Sequence, residues 1–246
     1  MTALVAFKDV TLGYDRHPAV HHLSGTVNAG DLLAVVGPNG AGKSTLFKGL
    51  VGLIPPLAGT IDRGALGRAV AYLPQVAEID RGFPIGVYDL VAMGLWRRAG
   101  AFGGIGRKAR DAIEGALAAV GLTGFEGRPI GTLSVGQMQR ALFARLLLQD
   151  ARMIVLDEPF NAVDDVTVTD LVALVRRWHG EGRTVVAALH DLGLVRATFP
   201  ATLLLAREPV AWGATADVLT ADNLLRARRM CEAFDESAPA CRADAA

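Results

Sequence analysis

The stretch GPNGAGKS, from Gly37 to Ser44, fits the spacing G-x-x-x-x-G-K-[ST]. Glycine at Gly37, Gly40 and Gly42 lets backbone N–H groups turn inward around an anion, because no Cβ blocks the unusual angles or the close approach. Lys43 adds a point charge for outer phosphates, and the Ser44 hydroxyl is placed to ligate Mg²⁺. Pro38, Asn39, Ala41 and Thr45 complete the loop and its exit. The chemistry this set can do is the holding of a polyphosphate.

A pair of acids, Asp157 and Glu158, follows the apolar run MIVL and is stopped by Pro159. Two carboxylates at the end of a buried strand need a cation or a task. Asp157 suits the holding of Mg²⁺ through water, and Glu158 can orient a water that attacks a γ-phosphorus. His190 ends a second buried strand, so it can contact the same phosphate. Ser134 and Gln137 form S-x-x-Q ahead of a long helix, which on structural grounds is a capping box. With Gly136 in its first turn, the same helix start offers free N–H groups and a hydroxyl as a second anion site. Gln75 follows Pro74 on a turn, where its carbonyl can reach a metal or a water. Tyr14 closes an early strand; it either stacks on a purine ring or packs on a sheet face, and spacing leaves both readings open. His17, His21 and His22 are the other candidate ligands. Strand alternation would put the adjacent pair on opposite faces, so they read as ordinary polar residues.

The elements that must position these groups follow from hydrophobic period. Leu32 to Val36 is a short apolar run, and the loop after it opens a helix that the pair Pro55-Pro56 should end. The N-terminal segment reads as β-strands with a polar turn at DRHP, and AVAYL as a strand ending at Pro74. From Val76 to Gly131 the pattern is helical: VYDLVAMGLWRR looks like one helix, GAFGGIG like a flexible connector, and Ile113, Ala116, Leu117 and Val120 form one apolar stripe. An amphipathic helix is expected from Val166 to Trp178, a strand from Thr184 to Leu189, a hairpin in ATLLLAREPVAWG and a polar helix from Thr215 to Arg229. The tail from Asp235 is small and polar, and is expected to be disordered.

Composition sets bounds on the function. With 246 residues the chain can bury a real core. Lysine plus arginine equals aspartate plus glutamate at 25 each, so no net field attracts nucleic acid or an anionic membrane. No uncharged apolar run reaches the ~20 residues a membrane helix needs. The start, MTALVAFKDV, lacks a basic region ahead of an apolar core, which points to a cytoplasmic protein. Cys231 and Cys241 have no metal-ligand spacing and read as free thiols.

Taken together, GPNGAGKS, the LPQ glutamine, LSVGQ, VLDEP and His190 resemble, in that order, the nucleotide-binding subunit of an ABC transporter. The resemblance covers the chain to about Leu225. It implies an α/β fold: a P-loop NTPase (RecA-like) core with an N-terminal antiparallel β subdomain and an inserted α-helical subdomain. Residues 1–234 would form a single ATPase domain, with the helical part at about 76–150 and a disordered tail over 235–246. By the same resemblance ATP and Mg²⁺ are the cofactors, Tyr14 stacks on adenine, Gln75 senses Mg²⁺ and the membrane partner, Glu158 is the catalytic glutamate, Asp164 crosses to the opposite subunit and His190 is the switch histidine. Two copies would close head to tail over two ATP molecules, with Ser134 and Gly136 of one capping the γ-phosphate held by Lys43 of the other. Val135 departs from the family's usual glycine. LDEPFNAVD and the short helical lobe are similar to the branch that imports zinc, manganese or iron, zinc foremost. That branch implies integral membrane permease subunits, an extracytoplasmic metal-binding protein as an indirect partner, no nucleic acid, and a place on the cytoplasmic face of the inner or plasma membrane. The alternatives are an ABC ATPase of another importer or exporter, a soluble ABC ATPase that transports nothing, and a small-molecule kinase, which would lack LSVGQ.

Overall fold

A computed structural model describes residues 2–15, 17–66, 70–99 and 106–232; the tail 235–246, Cys241 and nearly all of the GAFGGIG connector lie outside the described residues. The chain begins with a bulged antiparallel hairpin, β1 (Ala3–Tyr14) and β2 (His17–Asn28), followed by β3 (Leu32–Val36) and α1 (Lys43–Val51). After β4 (Ala58–Asp62) and β5 (Val70–Leu73) comes a helical lobe of α2 (Val87–Ala92), α3 (Trp96–Ala99) and α4 (Arg107–Ala119). Then follow α5 (Val135–Gln149), β6 (Met153–Asp157), α6 (Asp165–Gly180), β7 (Thr184–Ala188) and α7 (Leu192–Thr198). The hairpin β8 (Ala201–Ala206) and β9 (Glu208–Ala214) leads into α8 (Thr215–Val218) and α9 (Ala221–Glu232).

Two sheets result. β2-β1-β4 is antiparallel, and the larger sheet runs β5-β6-β7-β3-β8-β9 with only β9 antiparallel to its neighbour. Every residue of β3, β6 and β7 is buried, as a parallel strand covered on both faces demands. Alternation then splits each strand between two cores. Leu33, Val35, Met153 and Val155 meet α1 and the small sheet, while Leu32, Ala34, Ile154 and Leu156 meet α5, α6 and the helical lobe. In the second core Phe143 and Trp178 stack with centroids 5.6 Å apart, tying α5 to α6. Truncating Phe143 to alanine would cost about 3–5 kcal/mol.

Register decides where the functional groups fall. Ala188 pairs with Val35 of β3 on one side and with Asp157 of β6 on the other, so these three strands end in one row. Leu73 pairs with Leu156, which brings the Pro74-Gln75 turn beside the acid pair.

Several sequence expectations need correcting. Helix α1 stops at Val51, before the prolines, because Gly52 adopts a left-handed φ of 83° and its N–H closes on Gly49 O. VYDLVAMGLWRR is not one helix: a 3-10 turn over Met93–Leu95 separates α2 from α3. It falls where α5 passes so close that a Cβ on Gly94 would lie 2.3 Å from Arg145 O. The polar helix expected from Thr215 to Arg229 breaks after Val218, and Thr220 Oγ accepts from Asn223 N at 3.3 Å to start α9 anew. Strand alternation does not separate His21 from His22. Both Asp9 and His22 have positive φ (48° and 49°) in the bulged hairpin, so the two imidazoles sit 6.3 Å apart and tilted, with His22 Nδ1 2.9 Å from Asp9 Oδ1. Among the described residues no cluster of three or more histidine, cysteine or acidic side chains could hold a metal ion.

Candidate active site

The phosphate loop joins β3 to α1. Gly42 has φ 92°, and a Cβ there would lie 2.5 Å from Val20 Cγ2, so the turn admits glycine alone. Gly37 is required for a different reason from the one its spacing suggests. Its backbone lies against β8, where a Cβ would come within 2.0 Å of Leu205 O. Lys43 is buried, and its Nζ donates to Gly37 O at 2.9 Å and to Pro38 O at 3.1 Å. Burial lowers its pKa, and the charges of Glu158 and Asp157 partly oppose that. A cavity of about 400 Å³ opens over the loop, lined by residues 39–45 with Ala19, Gln75 and Glu158. The unfilled first-turn N–H groups of α1 belong to this same stretch, which suits an anion.

Beside the loop, Gln75 Nε2 donates to Ser44 Oγ at 3.0 Å. Asp157 is fully buried at the end of β6; Tyr72 Oη donates to its Oδ2 at 3.5 Å, and its Oδ1 has no hydrogen-bond partner. Burial raises the Asp157 carboxyl pKa, with the Glu158 charge adding to the rise and the Ser44 hydroxyl opposing it. Tyr72 is raised as well, by burial first and the Asp157 charge second. An orphaned buried carboxylate oxygen beside a hydroxyl and a carboxamide is a hard-oxygen donor set, which fits Mg²⁺.

Glu158, the next residue, takes a left-handed φ of 50°, a conformation rare outside glycine. That turn sets its carboxylate toward the phosphate loop and away from the strand. Its Oε1 lies 2.7 Å from His190 Nε2, a bond that needs the proton on Nε2, and its Oε2 accepts from Asn161 Nδ2 at 3.2 Å. Tyr72 and Asn161 escaped the sequence reading. Asn161 lies within LDEPFNAVD but was given no role there, and Tyr72 belongs to no motif, although it stands two residues before Pro74 on the strand paired to β6. Cys231, also set aside, lies on α9 within electrostatic reach of Lys43.

The helix start at Ser134 is a complete capping box: Ser134 Oγ accepts from Gln137 N at 3.2 Å, and Gln137 Oε1 accepts from Ser134 N at 3.0 Å. Gln137 therefore serves the cap within its own chain. Asp164 caps α6 by accepting from Thr167 N at 2.9 Å; that N–H, with Arg140 contributing less, holds its carboxyl below the usual range. None of Ser134, Gly136, Gln137, Asp164 and Tyr14 lines the cavity over the phosphate loop. Val135 does share a cavity of about 350 Å³ with Gln75 and Glu158. Tyr14 stands 47% exposed at the end of β1.

A parallel sheet whose strand ends gather a glycine-rich phosphate loop, a buried acid pair and a histidine is a nucleotide-hydrolysing P-loop fold. Residues 20–161 match the family model described as ABC transporter, and the chain belongs to that family, whose ATP-binding chains hydrolyse ATP to drive transport. It is 36% identical to the manganese transport system ATP-binding protein of Listeria monocytogenes, over 87% of this chain and 92% of that one. It is also 36% identical to the zinc transport system ATP-binding protein of Treponema pallidum, over 91% and 86%. Among solved structures it superposes on one described as a metal-chelate type ABC transporter in an inward-facing conformation, with a TM-score of 0.81, 29% identity, and 93% and 90% of the two chains covered. No helix among the described residues is long and apolar enough to cross a membrane.

Proposed function

We propose that two copies of this chain close head to tail over two ATP molecules to energise import of a transition-metal ion through separate membrane subunits. One observation carries the pairing. Lys43, Ser44, Gln75 and Glu158 line one cavity, whereas the second anion site at Ser134 and Gly136 stands outside it, free to serve another chain. Lys43 and the loop N–H groups hold the outer phosphates. Glu158 accepts a hydrogen bond from the attacking water and takes its proton, while His190 and Asn161 fix the carboxylate in place. Ser44, Gln75 and Asp157 would hold Mg²⁺, which when bound neutralises phosphate charge as the γ-phosphoryl leaves. Tyr14, exposed at the end of its strand, is the residue for the adenine ring, and Asp164 the one that reaches across the pair.

The cargo is zinc or manganese, with iron next. Relatives named for the first two support this, as does their coverage of nearly the whole chain. A permease on the membrane side and an extracytoplasmic metal-binding protein complete the assembly, with this chain peripheral on the cytoplasmic face. The test is uptake of zinc and of manganese, measured separately in cells with and without the chain, beside ATPase rate per molecule against protein concentration. Loss of one metal's uptake together with a rate that climbs with concentration supports the proposal. Unchanged uptake of every transition metal refutes the cargo, and a rate indifferent to concentration refutes the pairing.

A further inference from the structure

Arg140 lies one and a half turns into α5, outside every motif used above. Its guanidinium bonds to two other elements at once. Nη1 donates to Val120 O at the end of α4 at 3.0 Å; Nη2 donates to Thr167 Oγ1 at 3.0 Å and to Asp170 Oδ2 at 2.9 Å, both on α6; and Nε reaches Thr167 Oγ1 at 3.3 Å. The Arg140 side chain is only 18% exposed, so its bonds to Val120 O and Thr167 Oγ1 are partly shielded from water, whereas Asp170 stands 55% exposed. Thr167 is the residue whose N–H satisfies Asp164. On the other side of this joint, a Cβ on Gly136 would lie 3.5 Å from Asp164 Oδ2 and 3.8 Å from Thr167 Oγ1. The first turn of α5, which bears Ser134 and Gly136, thus lies beside the cap of α6, and the fork of Arg140 ties the two helices together.

We propose that Arg140 is a positioning residue that presents the Ser134-Gly136 turn and Asp164 to the opposing chain as one rigid surface. The inference rests on the pairing proposed above. Arg140 touches neither nucleotide nor reacting water; it acts through two helix starts that must fit the partner together. A lysine could satisfy Asp170 but lacks the planar fork to hold Thr167 and Val120 O at the same time.

The experiment measures ATPase rate against protein concentration, together with titration of a fluorescent ATP analogue, for the full chain and its Arg140→Ala, Arg140→Lys, Thr167→Val and Thr167→Ser variants. Arg140→Ala should raise the half-saturating protein concentration by about tenfold. Its analogue affinity and its rate at saturating protein should stay within about twofold of the parent. Arg140→Lys should fall between the two, Thr167→Val should shift in the same direction as Arg140→Ala, and Thr167→Ser should behave as the parent. Should Arg140→Ala not fold, the Thr167 pair alone decides, since both leave Arg140 in place. If Thr167→Val keeps the parental concentration dependence, or if rate at saturation drops instead of the midpoint moving, the inference is overturned. A parent whose rate ignores concentration would instead overturn the pairing itself.

Discussion

Replacing Asp157 with asparagine should stabilise the nucleotide-free protein while abolishing its function. In the fold the Asp157 carboxylate is fully buried with Oδ1 unpartnered, and burial raises its pKa above the ordinary carboxylate value. An unsatisfied buried polar group costs about 1–3 kcal/mol, more when charged. Asparagine leaves the position polar and removes only the charge; in a chain of this size 1 kcal/mol moves Tm by roughly 2–4 °C, so relief of about 1–3 kcal/mol should raise the melting temperature of Asp157→Asn by about 2–12 °C at pH 7.5. The sign of the pH dependence follows from the raised pKa. Below the unfolded value both states are protonated and nothing is lost; as pH rises, the unfolded chain ionises first, and the deficit grows until the folded carboxyl has ionised too. The advantage of Asp157→Asn is therefore full above the folded pKa and shrinks as pH falls through it toward the unfolded value of about 4. Thermal unfolding followed by circular dichroism at pH 7.5 and at pH 5, with chelator and then with excess Mg-ATP, reads this directly. Mg-ATP should raise the parental Tm more than the variant's, whose phosphate loop is intact but whose Mg²⁺ ligand is weakened. A variant that melts below its parent in chelator at pH 7.5 would refute the reasoning, since Asp157 would then be a net stabiliser of the empty fold.

Three more substitutions separate binding from turnover. Glu158→Gln keeps one acceptor oxygen, enough for His190 or Asn161, but cannot take a proton; steady-state turnover should fall by about 10²–10⁴-fold while analogue titration shows ATP still bound. Lys43→Ala removes the one buried cation of the phosphate loop and should weaken binding of a fluorescent ATP analogue at least tenfold, with the melting profile close to the parent's. Val135→Gly adds unfolded-state freedom worth about 0.5–1 kcal/mol, and ATPase activity should stay within a few-fold; a collapse would mean that its side chain shapes the cavity it shares with Gln75 and Glu158.

The phosphate loop, the acid pair and the capping box were legible because each is a local pattern whose residues are adjacent in sequence and whose geometry is set by one turn. The register that lines up Val35, Asp157 and Ala188 was legible only as an expectation, from apolar runs that demand a sheet covered on both faces. Less visible was whatever depends on a neighbour far along the chain. Gly37 is needed because β8 passes behind it, Gly94 because α5 crosses there, and Tyr72 matters because β5 pairs with β6. Alternation failed at His22 because two positive-φ residues shift the hairpin register, and no period in the sequence marks such bulges. The end of α1 was misplaced because proline was read as the stop where a left-handed glycine does the work, and the break after Val218 was missed because only a threonine cap, with no glycine or proline, marks it.

The helical lobe and the sheet share a single apolar interior, with Val87, Leu90, Ile113 and Leu117 continuous through α5 to Phe143, Trp178 and the strands. Grafting the lobe of a relative onto this chain by cutting at residues 76 and 131 would leave α5 facing foreign side chains along its whole length. A workable chimera must carry α5 and its Trp178 neighbour along with the lobe, so the unit that can be exchanged between such proteins is larger than the segment that looks inserted.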